Sequence, residues 1–141
     1  MPAARKAWNS VDSYPSHLLP PVIALSVLLC FCTCPDETTA RRLADTLVGE
    51  RLAACVNIVP GLRSVYRWQG TVECGNELLL LIKTTRARLP ALSARVVELH
   101  PHELPEVVAV EVAGGLSAYL DWVAEQASEL TAHESQSPSD T

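Results

Sequence analysis

Five cysteines, at positions 30, 32, 34, 55 and 74, and the segment His100-Pro101-His102-Glu103-Leu104-Pro105-Glu106 are the parts of this 141-residue chain best equipped for chemistry. Thiolate and imidazole are the donors favoured by Cu(I) and Zn(II), and imidazole with carboxylate suits Cu(II). Cys30, Cys32 and Cys34 alternate within an apolar run from Val22 to Cys34, so on a strand they share one face. Successive positions on that face are about 7 Å apart. At this spacing the three thiols are expected to pack as small hydrophobes rather than gather round one ion or bridge one another. Cys55 is expected to be buried near the sheet and Cys74 to lie inert near a hairpin. An odd number of cysteines so arranged argues against a secreted disulfide framework and for a reducing cytoplasm.

Other chemistries find less support. No nucleophile–base–orienter set is visible, since Ser26, Ser64, Ser93 and Ser117 have no histidine with an evident role beside them. No Gly-rich loop is placed to cradle phosphate. Thr33-Cys34-Pro35-Asp36-Glu37 is acidic, unlike the Arg-bearing phosphate loop that an acylphosphatase-type enzyme needs after its first strand. An enzyme is therefore not expected. Eleven Lys and Arg against sixteen Asp and Glu give a net charge of −5, and only 5% of residues are aromatic, so a nucleic-acid partner is not expected either. The apolar run is too short for a confident membrane-spanning helix, so no membrane partner is expected. As a signal-peptide core it lacks adjacent basic residues and a small-residue cleavage pair. It reads instead as a central β-strand buried on both faces.

The elements that must position these residues follow from punctuation and period. Residues 1–21 show no period and read as a loose extension. Residues 127–141, rich in Ser, Thr and Glu, read as a disordered tail. Between them, 22–126 reads as one domain. Pro35-Asp36-Glu37 suits the first turn of a helix over roughly 36–51, whose stripe is Ala40, Leu43, Ala44, Leu47 and Val48. A strand from Ala54 to Val59 is bent or bulged at Pro60-Gly61 and resumes through Trp68. Gln69-Gly70 signals a hairpin, with the return strand carrying Leu78 to Ile82. A helix over 88–99 presents Leu92, Val96 and Leu99 and stops at His100-Pro101. Val107 to Val112 is a fourth strand. A last helix spans 116–126, with Ser117 as its expected N-cap.

The order βαββαβ plus a terminal helix is an α+β, ferredoxin-like arrangement. Right-handed crossovers give the sheet order 4-1-3-2, with both crossover helices on one face. Strand 1 and residues 78–82 are apolar on both faces, so the other face is left wanting a cover. About 2 kcal/mol per exposed large side chain would go unrealised. The sheet is therefore expected to pack against copies of itself, in a homo-oligomer.

Taken together, Cys32-Thr33-Cys34-Pro35-Asp36-Glu37, Leu52 to Gly61, Ser64 to Gly70, Ile82-Lys83-Thr84 and His100 to Glu106 closely resemble the CutA family of divalent-cation tolerance proteins, over about residues 24–124. The resemblance implies a PII-like homotrimer of ferredoxin-like subunits and a part in copper or general divalent-cation response. It also implies metal ligation by a cysteine late in strand 1, matched by Cys32, and by a histidine pair, whose second member is His100. The first member falls on Leu99, which offers no donor. His102 replaces the aromatic residue usual after His-Pro.

The candidate metal set is therefore Cys32, His100, Glu106 and His102, for copper or another divalent cation. Antiparallel pairing of strand 4 beside strand 1 brings the start of one to the end of the other. The competing reading keeps Cys32 as a core hydrophobe and His100 as a helix-end cation. A second set, Tyr66, Trp68, Glu77 and Lys83, lies on the hairpin strands. In a trimer these residues would line inter-subunit clefts of the kind in which PII-like proteins hold a small ligand or a partner protein. Otherwise they are interface aromatics with a salt bridge.

Overall fold

The structure, a computed structural model, describes residues 26–129. The expectations for the extension 1–21, for residues 22–25 of the apolar run and for 130–141 of the tail lie outside the described residues. The elements are β1 (Val27–Cys34), α1 (Glu37–Gly49), β2 (Cys55–Trp68), β3 (Thr71–Thr85), α2 (Leu89–Leu99), β4 (Val108–Glu111) and α3 (Ser117–Gln126). The sheet order is β2-β3-β1-β4, every neighbour antiparallel. Counted from the other edge, this is the 4-1-3-2 order that the crossover rule requires.

Strand β1 divides its residues between two environments. Leu28, Cys30, Cys32 and Cys34 are buried, while Val27, Leu29, Phe31 and Thr33 are only half-buried. The three cysteines pack with Leu80 and Ile82 of β3, Ala40, Leu43 and Leu47 of α1, and Leu92 and Val96 of α2. Both crossover helices thus lie on one face. Asp36 caps α1 by accepting the Thr39 N–H at 2.7 Å, which satisfies one of the orphan donors of the first turn. Just past α1, Arg51 adopts a left-handed backbone with φ 59°. Its guanidinium then donates to the carbonyls of Glu125 and Ser128 at 2.8 and 3.0 Å, tying down the end of α3. Ser117, the expected cap of α3, is already helical. Leu116 holds the cap position, and its carbonyl accepts the first helical bond, from Leu120 N–H at 3.0 Å.

The hairpin is built as its turn residues require. Gln69 and Gly70 both have positive φ, 49° and 81°, the signature of a two-residue type I′ turn. Gly61, at φ 87°, sits where the β2–β3 register slips between Val59 and Leu62, so the Pro60-Gly61 bulge is real. Beyond the bulge, β3 has left β1 behind, since Leu78 is its last residue paired there, opposite Cys34. The hairpin therefore projects as a two-stranded arm, with Val65, Tyr66, Trp68 and Val72 exposed.

Among the described residues the second face of the sheet has little cover. Helix α3 covers one end, where Val123 and Ala127 pack with Ala54 and Val27. The rest presents Leu29, Phe31, Leu79 and Leu81, which are half-buried, with Val108 and Val110 exposed.

Two measurements test this packing. Leu80→Ala, at a fully buried position, should lower the unfolding free energy by about 2–5 kcal/mol in urea titrations. The Thr39 N–H bond holds the Asp36 carboxyl below its ordinary value of 3.8, so the charged cap stabilises the fold above that pH and the benefit fades as pH falls through the depressed value. Asp36→Asn keeps a cap but not the charge. The gap in melting temperature between the native chain and this variant should close on acidification below 3.8.

Candidate metal centre

The site lies where β1 ends and the chain leaves α2. His100 follows the last helical residue with an extended backbone, φ −78° and ψ 137°, which swings its side chain off the helix. Two backbone groups then fix the ring. The His102 N–H donates to Nδ1 at 3.0 Å, and Nε2 lies 2.7 Å from the Thr33 carbonyl. A nitrogen accepting an N–H carries no proton. The neutral ring therefore has its proton on Nε2 and donates it to Thr33. Thr33 stands between Cys32 and Cys34, so this bond carries the imidazole to the two thiols. His100 is 7% exposed, and both cysteines are fully buried.

The sulfurs of Cys32 and Cys34 and a ring nitrogen of His100 all lie within 4.8 Å of one another. The expectation that the cysteines are too widely spaced to gather thus fails for this pair. Their Cα positions are separated by one alternate residue, but the thiols at the end of β1 approach each other. The Cys32 thiol donates to the Thr33 carbonyl at 3.8 Å, and the adjacent Cys34 thiol, burial and the Glu106 and Glu77 charges all raise its pKa. The adjacent Cys32 thiol lowers the pKa of Cys34, against burial and the Asp36 and Glu77 charges. Cys30 stays outside the group, with burial pushing its thiol up to about 11. Cys55 is half-buried rather than buried, and Cys74 is exposed on the arm. Buried soft donors such as the Cys32–Cys34 pair fit a thiophilic cation. Among the described residues no buried side-chain nitrogen or oxygen lacks a partner, so the neighbourhood is satisfied as it stands.

The other expected ligands, His102 and Glu106, are not members of this group. His102 is exposed, its ring tilted against that of His100 at 4.7 Å between centroids. Glu106 is also exposed. Both line an open groove of about 730 Å³ between the 101–106 loop and the projecting hairpin arm. Tyr66, Trp68 and Glu77 line the same groove, so these three share one place with His102 and Glu106. Lys83 is elsewhere. It sits on the bare face of the sheet, opposite Leu29 and Cys55, and binds the Asn57 side chain. Cys34 packs in the core as expected, but its thiol lies nearer to that of Cys32 than the spacing of alternate strand positions gives. The usable signal was its place beside Cys32 at the last position of the strand, before Pro35.

Comparison with known proteins agrees with this architecture. The family model of the CutA1 divalent ion tolerance protein matches residues 28–126. The divalent-cation tolerance protein CutA of Thermus thermophilus is 58% identical over 93 residues, which are 66% of this chain and 90% of that protein. Protein CutA of Mus musculus is 45% identical over 98 residues, 70% of this chain but 55% of the mouse protein, so the chain spans about half of that relative. Among solved structures, the Thermus thermophilus protein matches with a TM-score of 0.71 and 53% identity, covering 72% of this chain and 99% of the other. The crystal structure of CutA1 from Oryza sativa matches with a TM-score of 0.73 and 40% identity, covering 77% and 99%.

The two bonds of His100 generate a stability prediction. His100→Ala strands the Thr33 carbonyl and the His102 N–H, and should destabilise the chain by about 2–4 kcal/mol in metal-free denaturant titrations. A change below a few tenths would mean that the ring does not hold the loop to β1.

Proposed function

Since the chain belongs to the CutA1 divalent ion tolerance family, we propose that it is a homotrimeric, non-catalytic protein of the reducing cytoplasm that binds copper or another divalent cation in the response to such ions. The observation that carries the binding is the approach of buried Cys32 and His100 at the end of β1. Thiolate and neutral imidazole are intermediate-to-soft donors, and both hold copper well. Glu106 and His102, exposed in the adjoining groove, supply a carboxylate and an imidazole on the approach to the buried pair. Leu99 contributes no donor, so Cys32 and His100 carry the affinity.

Trimerisation is supported by the bare apolar face. Phe31, Leu79, Leu81, Val108 and Val110 offer a contiguous surface that three copies can remove from water around a common axis. The projecting arm, with Val65 and Val72 exposed, has the reach to touch a neighbouring subunit. The name of the family describes tolerance to cations, not catalysis, which supports the non-catalytic reading. The disposition of the cysteines supports a reducing compartment: three are buried free thiols and none is bridged.

A second reading gives the groove the leading part. Tyr66, Trp68, Glu77 and His102 surround a volume large enough for a small molecule, so the trimer would act as a PII-like module binding a ligand or a partner protein there. Copper titration of the reduced protein by calorimetry separates the two, read together with the native mass from light scattering. Cys32→Ser and His100→Ala should each abolish stoichiometric copper binding while leaving a three-chain mass. Unchanged weak binding in both variants favours the groove, and a folded single subunit refutes the trimer.

A further inference from the structure

We propose that Cys34 is a metal ligand, and that with Cys32 and His100 it forms a buried dithiolate–imidazole site for a thiophilic divalent cation of the Zn(II) class. The inference rests on the binding reading above and deepens it. It names a ligand that the resemblance does not supply and the kind of ion that this ligand selects.

Metal–sulfur bonds of about 2.3 Å and metal–nitrogen bonds of about 2.0–2.1 Å place neighbouring donors about 3.6–4.0 Å apart at tetrahedral to trigonal angles. The two sulfurs and one of the two ring nitrogens already lie within 4.8 Å of one another, so drawing these atoms together needs movements of about 1 Å. Cys34 is the last residue of β1, next to Pro35, where its side chain meets no following strand residue on the same face. His100 is held over the pair by the Thr33 carbonyl between them. Ligation through the unprotonated Nδ1 requires that it release the His102 N–H and turn to the thiols. The Nε2–H bond to Thr33 can then persist behind the ligand, a backbone-carbonyl partner of the kind that orients metal-bound histidines.

Charge decides the ion. All three donor residues are buried, and an uncompensated charge there is strongly disfavoured. A dication held by one thiolate and a neutral imidazole would leave a net positive charge in the core. The second thiolate cancels it. On binding, Cys32 and Cys34 each lose a thiol proton to solvent, and two metal–sulfur bonds form, with no change in oxidation state. A hard cation such as Mg(II) gains little from such donors.

The test uses the full chain under reductant, with Co(II) as a spectroscopic stand-in and Zn(II) as competitor. The native protein should take up one Co(II) per chain with a thiolate-to-cobalt charge-transfer band, and Zn(II) should displace it. In Cys34→Ala the band should fall to about half and Zn(II) affinity should drop at least about tenfold. Cys30→Ala, at a buried cysteine of the same face outside the cluster, should change neither. Circular dichroism of each metal-free variant checks the fold. An undiminished band and affinity in Cys34→Ala would remove Cys34 from the site while leaving metal binding at Cys32 and His100 in place. A native protein that shows no thiolate band with Co(II), and binds neither Zn(II) nor copper, would remove both. Stoichiometric binding of Cu(I) but not Zn(II) or Co(II) would overturn the divalent assignment alone.

Discussion

A sheet that is apolar on both sides, with crossover helices for only one of them, is the constraint on which the rest depends. Two right-handed βαβ crossovers put α1 and α2 on the same face. Once Leu43, Leu47, Leu92 and Val96 have filled that side, α3 is the one described element left for the other, and it covers only an end. Phe31, Leu81 and Val108 remain in a continuous row across three strands. The hydrophobic effect is proportional to area and indifferent to which chain supplies the cover. A surface of this kind is therefore as much a part of the fold as the helices are.

The same strand that creates the bare face also carries the candidate site on its covered face. Alternation along β1 places Thr33 toward the groove side and Cys32 and Cys34 toward the core. The Thr33 carbonyl lies between them in sequence and receives His100. One backbone acceptor thus joins three things: the end of β1, the loop that leaves α2, and the thiol pair. The loop it anchors forms a wall of the groove that the hairpin arm completes. A change in what His100 bonds is felt by the His102 N–H, and hence in the groove, because both ring nitrogens are engaged. Buried donors and exposed groove are physically one neighbourhood, with the histidine as its hinge.

Much of this was legible in the chain. The 3.6-residue stripe of α1, the two-residue turn at Gln69-Gly70 and the bulge at Pro60-Gly61 are local matters, decided by side-chain periodicity and by which residues tolerate positive φ. The strand order followed from chirality. The cap of α3 was less legible, because Leu116 and Ser117 compete for one position and only the carbonyl that accepts from Leu120 N–H decides between them. Lys83, which the sequence groups with Tyr66, Trp68 and Glu77 in a cleft between subunits, lies apart from these three within one chain. A long strand crosses several environments, however, and the ladder partners of Lys83, Leu29 and Cys55, belong to the body of the sheet rather than to the arm.

What the amino-acid order determined by itself is the set of elements, their succession and the two-sided apolarity of β1, because these depend on neighbours within a few residues and on the handedness of L-amino acids. What only the tertiary structure decided is which polar atoms meet. Cys34 joins Cys32 and His100, and His102 and Glu106 share a groove with Tyr66 and Trp68, through contacts between segments far apart in the chain, 67 residues in the case of His100 and Thr33. Such meetings turn on side-chain directions and on small distances. Periodicity fixes a face of a strand, but it does not fix how far two thiols on that face lean toward each other, or which carbonyl a histidine will find.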